Sequence, residues 1–449
     1  MPDQNTTAGF ERDIYGRFYA LIAEEEDARV CRDIPDDACS EQPAAFTLQL
    51  LSQILTKIGD ALTSSRIVLA WILASLAAPA IYLSLLVPVR ESLSLLPQLF
   101  VAQRVRQHAI RKGFWVAGSA TQAACLLGMV PAILWLRGHA LGLAVICLLA
   151  IFSLARGVCS VAAKDVLGKT VSKSRRGRLS GLAGSVAGLV TLAVAAALML
   201  YGSLDTPREA GDTMLFVVLL TVSAAAWLLA AALYSRIPEV PGATGGGGNA
   251  ISEALRSLAL LHSDTTFRNF VIARILLIST AFAIPYLVLI LRANGDGDSY
   301  DLGALLLAEG LAALLSAPFW GYWSDSASHR VMAAGAAISV LTLAGTLFLQ
   351  GYAPALLGSA LIGGLLIFLC AVAHQGARIG RKTYLVDMAD SGNRASYTAV
   401  SNTVVGVFLF SGAGLGVLDA TFGTSSVLWL LIAAGTLGIL RSASLPRVD

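Results

Sequence analysis

The stretch LGLAVICLLAIFSLARGVCSVAA, residues 141–163, is an apolar run of the kind that decides this fold. A helix needs about 20 apolar residues to cross the hydrocarbon core of a bilayer. This run has that length, and Arg156 is its one charged residue. Over the whole 449-residue chain, 56% of the residues are hydrophobic and 14% are charged. Soluble domains carry about 25% charged residues, so we expect lipid to surround most of the surface.

Eleven further apolar runs predict an all-α membrane protein of twelve transmembrane helices in two six-helix bundles. The spans are predicted at residues 67–87, 92–103, 114–136, 141–163, 179–201 and 214–234, and at 267–291, 302–323, 331–350, 355–372, 395–418 and 426–440. The run GATGGGGNA is typical of a flexible linker. We therefore predict a cytoplasmic tail (1–65), a first bundle (66–235), a cytoplasmic linker (236–266), a second bundle (267–442) and a cytoplasmic C-terminal tail (443–449).

The distribution of basic residues predicts the orientation, because Lys and Arg in short loops are retained on the cytoplasmic side. With both termini inside, eighteen basic residues lie at the cytoplasmic loops between spans, and four, Arg90, Arg137, Arg208 and Arg292, lie at the external ones. The first sixty residues are polar and acidic, so we expect no cleaved leader. The sequence thus predicts a multi-pass protein of a bacterial-type inner membrane.

The polar N-terminal region has two amphipathic patterns. Phe46, Leu50, Ile54, Ile58 and Leu62 recur every four residues, which predicts a helix on the membrane surface or on the helix bundle. A weaker pattern comprises Phe10, Ile14, Phe18 and Ile22. Cys31 and Cys39 lie in the same region, where a cytosolic setting argues against a disulfide and their spacing does not match a common zinc site.

The two halves of the chain are similar to each other. Arg156 and Lys164 are separated by eight residues, as are His374 and Lys382, and the two pairs lie 218 residues apart. Transporter folds are often built from repeated halves. The stretch GYWSDSASHR at residues 321–330 has Gly, then Asp four residues later, then basic residues that close the turn. This pattern is similar to the loop signature of the major facilitator superfamily. The chain from about Ile67 onward therefore resembles that family.

The resemblance implies a substrate site at the middle of the membrane, between the halves, and a conformational latch at the signature loop. The latch residues it implies are Asp325, Gly321 and Arg330, with Arg378, Arg381 and Arg394 as partners. A carboxylate at such a position gains from a neighbouring helix dipole and from basic side chains.

Ionisable residues inside predicted spans are candidates for function, because burial in lipid is costly. Glu309 is the only carboxylate well inside a predicted span and could carry a proton or form an interhelical hydrogen bond. Arg156 could hold an anionic group or pair with a carboxylate, and His374 could titrate near neutral pH. Both could instead extend to the cytoplasm, as we expect for Arg274 at the membrane interface.

Pro88 is expected to break a helix at the outer mouth. Arg90 and Glu91, which follow it, would form an outer gate contact or a local ion pair there.

These features predict a secondary active transporter that moves a small solute by alternating access and is driven by protons. No phosphate-binding loop, catalytic motif or metal-ligand cluster occurs in the sequence, so neither an enzyme, a cofactor, a metal nor a nucleic acid partner is expected. Two alternatives stay open: an assembly factor or sensor with this fold, and a flippase for a lipid or amphiphile. A sealed apolar bundle would favour the former and a lateral opening the latter.

Overall fold

The computed structural model describes residues 36–96, 101, 104–105, 107–203, 213–242, 244, 258–295, 299–389 and 394–448. All regular secondary structure in these ranges is helical, which confirms the predicted all-α class. The helices are α1 (Asp36–Ser40), α2 (Gln42–Leu62), α3 (Val68–Ser75), α4 (Ala80–Leu95), α5 (Lys112–Trp135), α6 (Gly138–Thr170), α7 (Lys173–Ser203), α8 (Thr213–Ser235), α9 (Leu260–Ser263), α10 (Thr265–Leu276), α11 (Ser279–Asn294), α12 (Ser299–Tyr352), α13 (Ala360–Met388), α14 (Arg394–Leu409), α15 (Gly412–Phe422) and α16 (Thr424–Ala443), with a 3-10 turn at Pro354–Gly358. Nine helical stretches among the described residues are long and apolar enough to cross a membrane.

Helix α2 is the largest departure from the sequence prediction. It is packed among α7 and α8 inside the helical body, with Phe46 and Gln49 almost fully buried. Its polar side chains form hydrogen bonds within the bundle, for example from Gln49 to Thr170 (2.7 Å) and from Ser52 to the Ala230 carbonyl (3.3 Å). A hydropathy scan treats such residues as exposed, although burial is tolerated once their polar atoms are paired. We therefore start the helical body at residue 42, not at 66.

The predicted spans 67–87 and 92–103 do not match the helices that the structure has in this region. Helix α3 ends at Ser75, and α4 runs from Ala80 to Leu95 without interruption, with Pro88 inside it. The expected helix break at Pro88 is therefore absent. The chain breaks instead at residues 63–67 and 76–79, between α2 and α3 and between α3 and α4.

Helix α12 contains a single break at Ala327, whose backbone angles are φ −160° and ψ 60°. An uninterrupted helix of 54 residues would be about 80 Å long, whereas the hydrocarbon core is about 30 Å thick. The break divides it into segments 299–326 and 328–352, each long enough for one crossing. The signature stretch 321–330 lies at this break, where the sequence predicts the turn between two spans.

Two groups of helices form the body. Helices α2–α8 form the first group, with α4 packed on α6 and α3 on α4, and α10–α16 form the second group. The groups meet where α7 contacts α12, where α4 contacts α14 and α15, and where α3 contacts α11. A Cβ at Gly303 of α12 would lie 2.8 Å from the backbone N of Met199, so glycine permits the close approach of α7 and α12.

The outer surface of the body is apolar. Large side chains such as Leu361 and Leu341 are mostly exposed, which a soluble protein would avoid over so many positions. Aromatic residues Trp135, Tyr352 and Phe422 are exposed at the ends of α5, α12 and α15. Aromatic side chains at helix ends are typical of the boundary between membrane and water.

Cys39 of α1 is disulfide-bonded, so the expectation against a disulfide is wrong. That expectation used only the compartment, which does not fix the state of an individual cysteine. Cys31 and the weaker amphipathic pattern at residues 10–22 lie outside the described residues.

Candidate functional site: a charged cluster between the two helix groups

The candidate site begins with Asp60, near the end of α2. Its carboxylate accepts hydrogen bonds from Arg90 of α4 (2.7 Å) and from Arg156 of α6 (2.8 Å), and its second oxygen also pairs with Arg156. The guanidinium groups stack on aromatic rings: Arg90 lies 4.5 Å from the Phe152 ring centre and Arg156 lies 5.2 Å from that of Trp227. These contacts favour keeping two arginines in a largely buried position.

A second ion pair lies beside the first. Arg66, in the break between α2 and α3, donates to Glu91 of α4 at 3.0 Å. Because Glu91 follows Arg90 directly, one turn of α4 contributes to both pairs. The charge of Arg66 also acts on Glu309, His374, Arg378 and Arg381, all of which belong to the second helix group.

Helix α13 presents three of these groups on one face, at His374, Arg378 and Arg381, because residues three and four apart are neighbours on a helix. His374 is buried, and its Nδ1 lies 3.2 Å from the Thr280 hydroxyl of α11. Arg378 donates to the Gln375 side chain at 2.6 Å. Within the described part of the chain, neither Arg378 nor Arg381 forms an ion pair.

Glu309 lies on α12 within reach of the charges of Arg66 and Arg378. It forms no hydrogen bond or ion pair with any described residue. A carboxyl group without a bound partner, next to two arginines, is free to exchange a proton and thereby to alter the local charge balance.

The cluster as a whole is positively charged. Among the described residues, it contains three carboxylates and six cations. The carboxylates are Asp60, Glu91 and Glu309, and the cations are Lys57, Arg66, Arg90, Arg156, Arg378 and Arg381.

A cavity of about 340 Å³ reaches this cluster from the first helix group. Lys57 and Arg156 line it, and so does the exposed Lys164 near the end of α6. Its other lining residues are a mixture of aromatic, polar and aliphatic side chains: Trp115, Trp227, Tyr234, Gln49, Gln53, Thr56, Cys159, Ser160, Ala163, Leu167 and Ser180. The Trp115 and Tyr234 rings are stacked with their centres 3.9 Å apart.

The helix groups are in contact at the opposite end of the molecule. Arg292, at the end of α11, donates to the Ser75 hydroxyl at the end of α3 (3.2 Å) and lies 5.5 Å from the Trp71 ring centre. Gly412 of α15 lies against Phe282 and Pro88. The cluster is thus covered on the Ser75 side and reached by the cavity from the Lys164 side.

The structure brings together most of the residues singled out from the sequence. Glu309, Arg156 and His374 all lie in or beside the cluster, and Arg156 pairs with a carboxylate, one of the two alternatives considered for it. Arg90 and Glu91 lie there too and not at an outer mouth, because α4 continues through Pro88.

The proposed latch residues are divided between two places. Arg378 and Arg381 belong to the cluster, whereas Asp325 lines a separate cavity of about 320 Å³ with Thr383, Asp387 and Val448. Asp325 forms no ion pair among the described residues. Gly321 borders open space and Arg330 is exposed, while the side chain of Arg394 lies outside what the structure describes.

Sequence reasoning missed Asp60, because it falls outside the predicted spans. A usable signal was present: Gln49, Ser52, Thr56 and Asp60 form a polar stripe at helical spacing, opposite the apolar one. Arg274 was misplaced as well. It is 6% exposed, donates to Ser401 and Asn402 of α14, and does not extend to the interface.

No protein-family model matches this chain, and no curated protein matches its sequence. Solved structures do match. A POT family transporter in complex with a thioalcohol-conjugated peptide has a TM-score of 0.66 at 13% identity, covering 89% of this chain and 94% of that one. A D-xylose–proton symporter has a TM-score of 0.65 at 14% identity, covering 90% and 98%. A mutant of the nucleoside transporter NupG has a TM-score of 0.63 at 15% identity, covering 89% and 100%.

These neighbours are transporters of the major facilitator fold, and they are not enzymes. The chain therefore has the major facilitator fold, as the sequence resemblance implied. Identities of 13–15% establish the fold and leave the substrate open.

Proposed function

We propose that this protein is a secondary active transporter that moves a small solute by alternating access and is coupled to protons. The observation that carries the proposal is the charged cluster between the two helix groups, two of whose cations, Lys57 and Arg156, also line a cavity of about 340 Å³. A solute site between two groups of helices that can rock against each other is the arrangement that alternating access requires.

We further propose that the chain crosses the inner membrane twelve times in two six-helix halves, with both termini cytoplasmic. The first half would run from about residue 42 to 235 and the second from about 267 to 442. In that orientation the cavity faces the cytoplasm, because Lys164 belongs to a strongly basic cytoplasmic segment. The described conformation is then inward-facing, with Ser75 and Arg292 at the closed external side.

Glu309 is the residue we propose for proton coupling. It is a carboxyl group without a bonded partner in the described residues, and the charges of Arg66 and Arg378 act on it. Protonation would remove one of three negative charges from the cluster. That change alters how strongly the arginines repel one another and attract a solute, which links proton uptake to solute binding.

Transport with purified protein tests this proposal. Proteoliposomes that contain a trapped pH-sensitive dye are exposed to a panel of small solutes, and solute-dependent proton movement is recorded. The wild-type protein should move protons with at least one solute. Glu309→Gln should abolish proton movement while it keeps exchange of labelled for unlabelled solute, because exchange needs the site but not the proton.

Asp36→Asn, at an exposed carboxylate of the short helix α1, is the matched control and should behave as wild type. Unchanged proton movement in Glu309→Gln would remove this residue from the mechanism. Absence of flux for every solute would favour the assembly-factor or sensor reading, and flux confined to labelled lipids would favour a flippase.

A further inference from the structure

The charges of the cluster are unevenly paired. On the side of the first helix group, Arg90 and Arg156 share Asp60, and Arg66 has Glu91. On the side of the second group, Arg378 and Arg381 have no carboxylate bonded to them in the described part of the chain. The excess positive charge is therefore concentrated on α13.

Two arginines at positions three apart on one helix face repel each other, since like charges on neighbouring turns are destabilising. The charge of Arg378 acts on Arg381, and the charge of Arg381 acts on Arg274 of α10. Lys57 of α2, which lines the cavity, lies within reach of the charge of Arg378. Arg378 is thus surrounded by further cations, and the charge of Glu309, which has no ion pair among the described residues, acts on it.

The cavity beside Lys57 has aromatic side chains in its wall. Trp115, Trp227 and Tyr234 line it together with Lys57, and all four belong to the first helix group. A bound molecule with an apolar or aromatic body would fit against this wall.

We infer that the transported solute is an organic anion whose carboxylate or phosphate group binds Arg378 and Arg381 with help from Lys57, while its body lies against Trp227 and Tyr234. Planar guanidinium groups bind both of these anions in a bidentate manner, which explains why arginine stands at both positions of α13. The inference rests on the proposed transport function and narrows it to one class of substrate.

Charge also explains how Glu309 would act on such a solute. An ionised Glu309 competes with the anion for Arg378, and a protonated one does not. Binding of the anion and of a proton should therefore be mutually favourable, and acidification from pH 8 to pH 6 should tighten anion binding in the wild type. The Glu309→Gln variant should bind the anion with little dependence on pH.

The test uses purified full-length protein and a thermal-stability screen. The probes are three sets of size-matched compounds: organic carboxylates and phosphate monoesters, their neutral amides and alcohols, and the corresponding amines. We expect the saturable stabilisers to be anions whose affinity falls as ionic strength rises. Arg378→Gln and Arg381→Gln should each weaken that affinity at least about tenfold, since each removes charge-assisted hydrogen bonds.

Lys382→Gln is the matched control, because it removes an exposed charge from the same helix next to Arg381. Arg378→Lys guards against a simple folding defect: it should keep the preference for anions with weaker binding. A best stabiliser that is neutral or cationic, no stabiliser among the anions, or anion binding untouched by Arg378→Gln would each overturn the inference.

The same experiments separate this inference from the proposed function. Flux of a neutral or cationic solute in vesicles would refute the anionic substrate and leave transport intact. Saturable anion binding that depends on Arg378, with no flux of any bound anion, would refute transport and leave the anion site intact.

Discussion

Asp60 is the residue on which the first half of the charged cluster depends. One carboxylate accepts hydrogen bonds from two arginines, and all three side chains are partly buried. Removing one partner of a fully buried ion pair leaves the other charge without compensation, and such changes cost about 3 to 5 kcal/mol. Asp60 and Arg156 are partly exposed, so the cost here falls somewhat below that range.

We therefore expect Asp60→Asn to lower the free energy of unfolding by roughly 2 to 3 kcal/mol, measured as a drop in Tm in detergent. The double variant Asp60→Asn with Arg156→Gln should be less unstable than the sum of the two single changes, because the second change removes one uncompensated charge. Asp36→Asn should leave Tm unchanged. Additive losses in the double variant would show that Asp60 and Arg156 are not coupled.

The sequence located part of this site. Arg156 and His374 were found as equivalent positions of two similar halves, and Glu309 as a carboxylate within an apolar run, because each interrupts a hydrophobic segment. Asp60 and Arg66 could not be found in that way, since they border a helix whose polar residues lower its hydropathy. Pairing across four helices depends on packing, which no local pattern encodes.

At the level of helices, the sequence predicts that the elements are helical, but it does not predict where each helix begins and ends. Long apolar runs gave α5, α6, α8 and α16 nearly in full, because a 20-residue apolar segment in lipid has no alternative to a helix. The breaks at residues 63–67 and at Ala327 fall where the sequence predicts a gap between helices, whereas the break at 76–79 was missed because it lies inside a predicted span. At 76–79 tertiary packing decides, and the backbone groups that a break exposes find partners only in the folded body.

Asp264 shows how a helix start is stabilised at the membrane boundary. Its side chain caps α10 by accepting from the Phe267 N–H (2.9 Å), and it accepts from the Tyr397 hydroxyl of α14 (2.6 Å). Partial burial acts to raise the pKa of Asp264, but the hydrogen bonds from Tyr397 and from the backbone N–H groups of Phe267 and Thr266 outweigh it, and its pKa lies below the ordinary value.

The lowered pKa sets the sign of a pH effect. The ionised group stabilises the folded state above the ordinary Asp pKa of about 4, and the stabilisation is lost as the pH falls through the lowered value. Asp264→Ala should lower the free energy of unfolding by about 1 kcal/mol or somewhat more at pH 7, because both the helix cap and the hydrogen bond from Tyr397 are lost.

Asp264→Asn keeps a capping oxygen and should cost less than Asp264→Ala at pH 7. The Tm difference between wild type and Asp264→Asn should shrink as the pH is lowered from 5 to 3. A difference that is constant over this range would mean that the carboxylate charge does not contribute.

For the whole molecule, the contacts between the two helix groups are concentrated where α3 meets α11, where α4 meets α15, and along α7 and α12. Alternating access requires the end near Ser75 and Arg292 to open while the Lys164 end closes. The described contacts between the helix groups at the Ser75 end include a hydrogen bond of 3.2 Å from Arg292 to Ser75 and the stacking of Arg292 on Trp71. A single hydrogen bond of this kind contributes about 1 kcal/mol net, so it can break and re-form in each cycle.

Crosslinking across this contact tests whether its opening is part of transport. Ser75→Cys with Arg292→Cys, joined by a short reducible bifunctional thiol reagent, should stop solute flux in proteoliposomes, and reduction should restore it, because the tether prevents the helix groups from separating. Gln350→Cys with Ser425→Cys is the matched control, since these side chains also lie 3.2 Å apart at helix ends but both belong to the second group. The control tether should leave flux unchanged, because it moves with one rigid body. Full flux through the Ser75 and Arg292 tether would mean that solute crosses without separation at this end, and rocking of the two halves would then not be the mechanism.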